Sequence, residues 1–96
     1  MPAAARRGDA GVPHCSGYVI ASASNNVVIN GRGAARRGDF SSPHLRPAGK
    51  RCGGHTAPII GGSATVNING RAAARVGDGL AACTRVATGS NNVIIG

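Results

Sequence analysis

Ninety-six residues carry eleven Lys and Arg against three Asp and no Glu, a formal net charge of +8, and this length closes one small core with no room for a second domain. Only Tyr18 and Phe40 are aromatic, while sixteen glycines, five prolines and scattered Asn/Ser clusters exclude long helices and predict an all-β chain of short strands and turns. The cationic excess favours an anionic partner, three cysteines do not make a self-contained disulfide framework, and no apolar run approaches the roughly 20 residues of a membrane span.

The chain opens on P-A-A-A-R-R-G-D at 2–9, and the motif returns as A-A-R-R-G-D at 34–39 and as A-A-A-R-V-G-D at 72–78. Asp9, Asp39 and Asp78, the only acids, each end one copy, so each is expected to bond turn amides or a nearby Arg. Upstream of the second and third copies stand S-N-N-V-V-I-N-G at 24–31 and S-A-T-V-N-I-N-G at 63–70, and S-N-N-V-I-I-G at 90–96 follows the third. Val27 with Ile29, Val66 with Ile68 and Val93 with Ile95 alternate at period two, which predicts strands with one buried face. The Asn-Gly pairs at 30–31 and 69–70 predict tight hairpin turns. The chain therefore reads as three hairpin repeats, roughly 1–23, 24–62 and 63–96, packed around a shared axis because one hairpin cannot bury its own face. The long segment between Asp39 and Ser63 reads as a loop.

Counting from each Asp exposes a register. His14, His44 and Cys83 each stand five residues after the Asp of their repeat, and His55, in the long loop, is the only other histidine. Three histidines and one cysteine are the four ligands of a closed tetrahedral Zn2+ site. The mixed N/S set without carboxylate favours zinc over iron. Cys52 precedes His55 as C-G-G-H and is an alternative ligand to His55 or Cys83; otherwise Cys15 and Cys52 are small apolar fillers or free thiols. A closed site, the absence of Glu and the commitment of every Asp to a turn point away from catalysis. The pairs Arg6-Arg7 and Arg36-Arg37 divide into one arginine for the repeat's own Asp and one for solvent.

P-A-A-A-R with G-D, the S-x-x-V-x-I-N-G strands before R-x-A-A-R-x-G-D, and the closing G-S-N-N-V-I-I-G resemble the PAAR-repeat proteins that cap type VI secretion spikes. The resemblance covers the whole chain. It implies a small conical β fold with pseudo-threefold symmetry, its broad base on the blunt end of a trimeric VgrG-like spike, one chain per trimer. It also implies one structural zinc near the vertex held by His14, His44, His55 and Cys83. The proline of the motif stands in the first copy alone, as Pro2, opposite Gly33 and Ala72. Under this reading the chain is a single domain without a fused effector and without a Sec signal. It is made in the bacterial cytoplasm, helps pierce the target membrane and is delivered by the secretion system, with effectors carried as separate chains. The alternative is a small basic zinc module that binds nucleic acid or an acidic protein; a small metallohydrolase is a third reading.

Overall fold

The computed structural model describes residues 2–13, 17–48, 51–81 and 84–96, with the backbone alone over 44–48 and 51–55. The described residues form an all-β chain without helix, 39 × 24 × 21 Å in extent. Strands β1 (Val28–Ile29) and β2 (Arg32–Gly33) pair antiparallel, as do β3 (His44–Ala48) with β4 (Arg51–His55) and β5 (Asn67–Ile68) with β6 (Arg71–Ala72).

Both Asn-Gly pairs close two-residue hairpins, since Ile29 faces Arg32 and Ile68 faces Arg71. A turn that matches the right-handed twist of its strands needs positive φ at both central residues, and Asn30 (53°), Gly31 (79°), Asn69 (54°) and Gly70 (78°) supply it. The third hairpin is made from the two ends of the described chain. Ala3 bridges Ile94, and the Ala4 and Ile95 amides donate to Val93 and Pro2 carbonyls at 2.9 Å. The repeats are therefore three units, 90–96 with 2–9, 24–39 and 63–78.

The units meet in a closed ring. The Ala5 amide donates to Ala74, Ala74 to Ala35 and Ala35 to Ala5, each at 3.0 Å. A second cycle joins Arg7 to Gly33, Arg37 to Ala72 and Val76 to Ala3, at 2.8–2.9 Å. These bonds establish the pseudo-threefold axis, and they correct one sequence alignment: Ala3, not Pro2, holds the station of Gly33 and Ala72. The six alanines at the axis, Ala4, Ala34, Ala73, Ala5, Ala35 and Ala74, are at most 1% exposed. Backbones this close leave no room for a larger side chain, which is why the motif repeats Ala-Ala.

Two small cores flank this alanine layer. On the side of the Asn-Gly turns, Ile29, Ile68 and Ile95 pack with Ala4, Ala34 and Ala73. On the other side Ile20, Ile59 and Val86, the largest fully buried side chains, pack with Tyr18, Ala57 and Leu80. The alternation read from V-x-I holds for the isoleucines; Val27 and Val93 are half-buried, whereas Val66 is 38% exposed at its unit's edge. Burying one isoleucine is worth about 2 kcal/mol, so cores of this size leave much of the specification to hydrogen bonds.

The segment read as a loop between Asp39 and Ser63 contains the longest hairpin, with five register pairs running from His44–His55 to Ala48–Arg51. Pro47 and the Gly53-Gly54 pair hid it. A proline lacks the donor a central strand needs, but in a two-stranded sheet both strands are edges and tolerate it.

Candidate metal centre

Each repeated Arg-x-Gly-Asp is a four-residue turn closed twice over. Asp9, Asp39 and Asp78 donate their amides to the carbonyls of Arg6, Arg36 and Arg75, each at 3.0 Å. Gly8, Gly38 and Gly77 hold φ of 87–94° at the third position, as a type II turn requires. The Asp side chain then bonds back onto the same Arg. In the second unit Asp39 accepts from the Arg36 amide at 2.8 Å, Nε at 3.0 Å and Nη2 at 2.9 Å, and the other units repeat the fork. These side-chain bonds hold the pKa values of Arg6, Arg36 and Arg75 above the ordinary arginine value, against the opposing effect of desolvation. Arg7 and Arg37 are exposed. The division of labour expected for the arginine pairs is thus observed.

Two of the three carboxylates also tie adjacent units together. Arg32 Nη2 reaches Asp9 Oδ1 at 3.2 Å and Arg71 Nη2 reaches Asp39 Oδ1 at 3.3 Å. Thr88 and Ser22 hydroxyls donate to the same oxygens at 3.1 and 3.2 Å. At Asp78 the corresponding residues are Pro2 and Gly61, which offer no side-chain donor. A Cβ at Gly61 would lie 2.9 Å from Asp78 Oδ1, so a side chain there would have to displace the carboxylate. These contacts between repeats were missed from the sequence, because they join residues 17 to 79 positions apart.

Beyond each turn the three chains continue into equivalent places. The amides of Val12, Ser42 and Ala81, each three residues after its Asp, donate to the carbonyls of Arg85, Val19 and Pro58 at 2.8–2.9 Å. They form a third cycle about the axis. Two residues further on come the sequence-predicted stations at 14, 44 and 83. His14 and Cys83, together with Cys15, lie outside the described residues. Their flanks are held together: Thr84 Oγ1 donates to the Val12 carbonyl and lies 2.8 Å from Tyr18 Oη. The Leu80 amide donates to the Thr84 carbonyl at 3.0 Å, spanning the segment that carries Cys83.

His44 and His55 are direct register partners at the base of the β3–β4 hairpin. Just below them Ser41 and Ala57 exchange two bonds, amide to carbonyl at 2.9 Å and amide to Ser41 Oγ at 3.0 Å. Directly opposed residues on an antiparallel pair are the closest cross-strand neighbours, with Cβ positions about 5 Å apart. Cys52 pairs instead with Pro47, three residues along β4 from His55. An odd separation puts it on the other face, roughly 10 Å away. Among the described residues no three potential ligands come together.

No curated protein matches the chain. A family model, described as the PAAR motif, matches residues 50–96, from the middle of the β3–β4 hairpin through the whole third unit and the closing strand. Three copies of one Arg-x-Gly-Asp turn, locked into a closed threefold ring, and this match support a PAAR-repeat protein, the PAAR motif being associated with the tips of type VI secretion spikes.

Proposed function

We propose that the protein is a non-enzymatic, zinc-stabilised tip that caps a trimeric VgrG-like spike, one chain per trimer. The observation that carries this is the closed cycle through Ala5, Ala74 and Ala35. It gives a single chain the symmetry of a trimer, so one copy sits on the axis without a mismatched edge. The docking end in this reading is the ring of hairpin ends. Asn30 accepts from Ser90 Oγ at 2.5 Å, Asn69 accepts from Ser24 Oγ at 2.6 Å, and Ser63 Oγ donates to the Gly96 carbonyl. Val28 and Ile94, 58% and 60% exposed, add apolar surface to this end.

The opposite end is the metal site. His14, His44, His55 and Cys83 are its ligands, a complete tetrahedral N/S set for zinc. The fit is supported by the register pairing of His44 with His55 and by the cycle of Val12, Ser42 and Ala81 two residues before the other stations. Zinc there would join the two segments that carry His14 and Cys83 to the β3–β4 hairpin, contributing on the order of 10 kcal/mol to folding. All three carboxylates are held by arginines, which supports a load-bearing rather than a catalytic site. The tip helps breach the target membrane on delivery, and effectors travel as separate chains.

Metal analysis and stoichiometry test the proposal together. One zinc per chain, and a complex of one chain with one spike trimer that survives moderate salt, are expected. Metal-free protein sinks the zinc assignment. Salt-labile binding to DNA without a spike complex sinks the tip assignment in favour of a basic module.

A further inference from the structure

The three seams between units are equivalent in backbone and unequal in side chains. The seam between the second and third units carries a groove of about 560 Å3 walled by Arg37, Pro58, Ile60, Asn67, Gly70 and Arg71. The backbone cycles place Ala21 and Ala87 at the station of Ile60, and Val19 and Arg85 at the station of Pro58. Arg37 and Arg71 correspond to Arg7 and Arg32 on one other seam and to Val76 and Pro2 on the remaining one. Two guanidiniums beside an exposed isoleucine therefore occur on this seam alone; the seam of Arg7 and Arg32 offers Ala21 at that station, with Val19, 41% exposed, in place of Pro58.

The chemistry of the groove is mixed and one-signed. Ile60 is 53% exposed. The Arg37 side chain is exposed and makes no hydrogen bond or ion pair among the described residues. Arg71, its side chain 42% exposed, makes one contact through Nη2 with Asp39 at 3.3 Å. Asp39 is buried under the fork from Arg36, so its single charge is shared between Arg36 and Arg71 and the groove stays cationic. We propose that this groove binds an acidic peptide segment of another protein, with an aliphatic side chain set between carboxylates. The aliphatic group packs on Ile60 and Pro58, and the carboxylates meet Arg37 and Arg71, whose planar forks suit bidentate pairing. A nucleic-acid backbone supplies the charge but nothing for Ile60. The volume lies within the roughly 300–1,000 Å3 of ligand clefts, room for a few residues. A partner held here breaks the threefold symmetry and needs neither a spike nor a metal, so this site goes beyond the spike-tip reading and does not depend on it.

The test is an amide chemical-shift titration of the full chain with the capped peptide Asp-Glu-Leu-Asp-Glu. Shifts confined to Arg37, Ile60, Asn67, Gly70, Arg71 and their neighbours are expected, Pro58 having no amide proton. Arg37→Gln and Ile60→Ser, both exposed and harmless to the fold, each weaken binding about fivefold, while Arg7→Gln on the neighbouring seam changes it less than about twofold. The proposal is overturned if the shifts spread over the faces bearing Arg7 and Arg85, or if Arg7→Gln costs as much as Arg37→Gln. It is equally overturned if a peptide with Ser in place of Leu binds as well, or if a short DNA duplex binds more tightly at the same salt.

Discussion

Replacing Asp39 or Asp78 by alanine removes the same group from the same turn, yet the two losses should differ. Asp39 accepts from three atoms of Arg36, from Arg71 Nη2 and from Ser22 Oγ. Among the described residues Asp78 accepts from Arg75 alone, and its side chain is 9% rather than 3% exposed. Removing one partner of a buried, hydrogen-bonded pair costs about 3–5 kcal/mol, which sets the scale for Asp39→Ala. The extra ties at Asp39 are a half-exposed arginine, about 0.2–1 kcal/mol, and a hydroxyl bond, about 0.5–1.5 kcal/mol. Asp39→Ala should therefore be about 1–2 kcal/mol more destabilising than Asp78→Ala. For a domain of this size that is about 5–10 °C between the two midpoints. Guanidinium and thermal unfolding under identical metal loading measure both. Equal losses, or a larger loss at Asp78, would refute the claim that the ties between units add to stability.

Three further outcomes are expected. A Cβ at Gly11 would lie 1.9 Å from Tyr18 Cζ, so Gly11→Ala must displace the ring and cost about 1–3 kcal/mol; Tyr18 is the only tyrosine and there is no tryptophan, so intrinsic fluorescence follows it directly, and an unchanged spectrum and midpoint would contradict this packing. At Asn30 (φ 53°), alanine loses the bonds from Ser90 Oγ and Arg6 Nη1 and also occupies a left-handed conformation, so chemical denaturation should find Asn30→Ala about 1 kcal/mol less stable than Asn30→Gly, which shares the lost bonds and not the strain. If the proposed zinc site is correct, a chelator lowers the melting temperature of the parent protein and of Cys52→Ser, whereas His44→Ala and His55→Ala already melt low and no longer respond; loss of zinc from Cys52→Ser would instead make Cys52 a ligand.

The features legible in the sequence are those with local grammar. Asn-Gly needs only its two strands to be recognised, and Arg-x-Gly-Asp closes on itself within four residues, so the turns and the duties of Arg6 and Arg36 could be read directly. The β3–β4 hairpin could not, because Pro47, Gly53 and Gly54 erase the alternation that marks a strand. Its outcome matters most at His55: the spacing of the chain gave that histidine no station, and only the register with His44 gives it a neighbour. The reach of Arg32 to Asp9 and of Arg71 to Asp39 needed the ring itself, since nothing in either segment names its partner. The valine of V-x-I read as buried in all units, but Val66 sits at an edge where the neighbouring unit does not cover it.

The bridge between Ala3 and Ile94 carries a consequence for how the molecule comes into being. During synthesis the second unit can pair as soon as it emerges, because β1 and β2 are separated by two residues. The first unit cannot: Ala3 precedes its own bridge partner, Ile94, by some 90 residues. Long-range closure of this kind slows folding, and the cyclic sets of bonds come within reach in order, the cycle of Ala5, Ala35 and Ala74 at residue 74, the second at residue 76 and the third at residue 85. A nascent chain that has exposed residue 85 but not residue 93 should thus hold the three cycles with the Ala3–Ile94 seam still open, and protection of the Ala4 amide from hydrogen exchange should appear only once Val93 has emerged, after that of Ala5, Ala35 and Ala74.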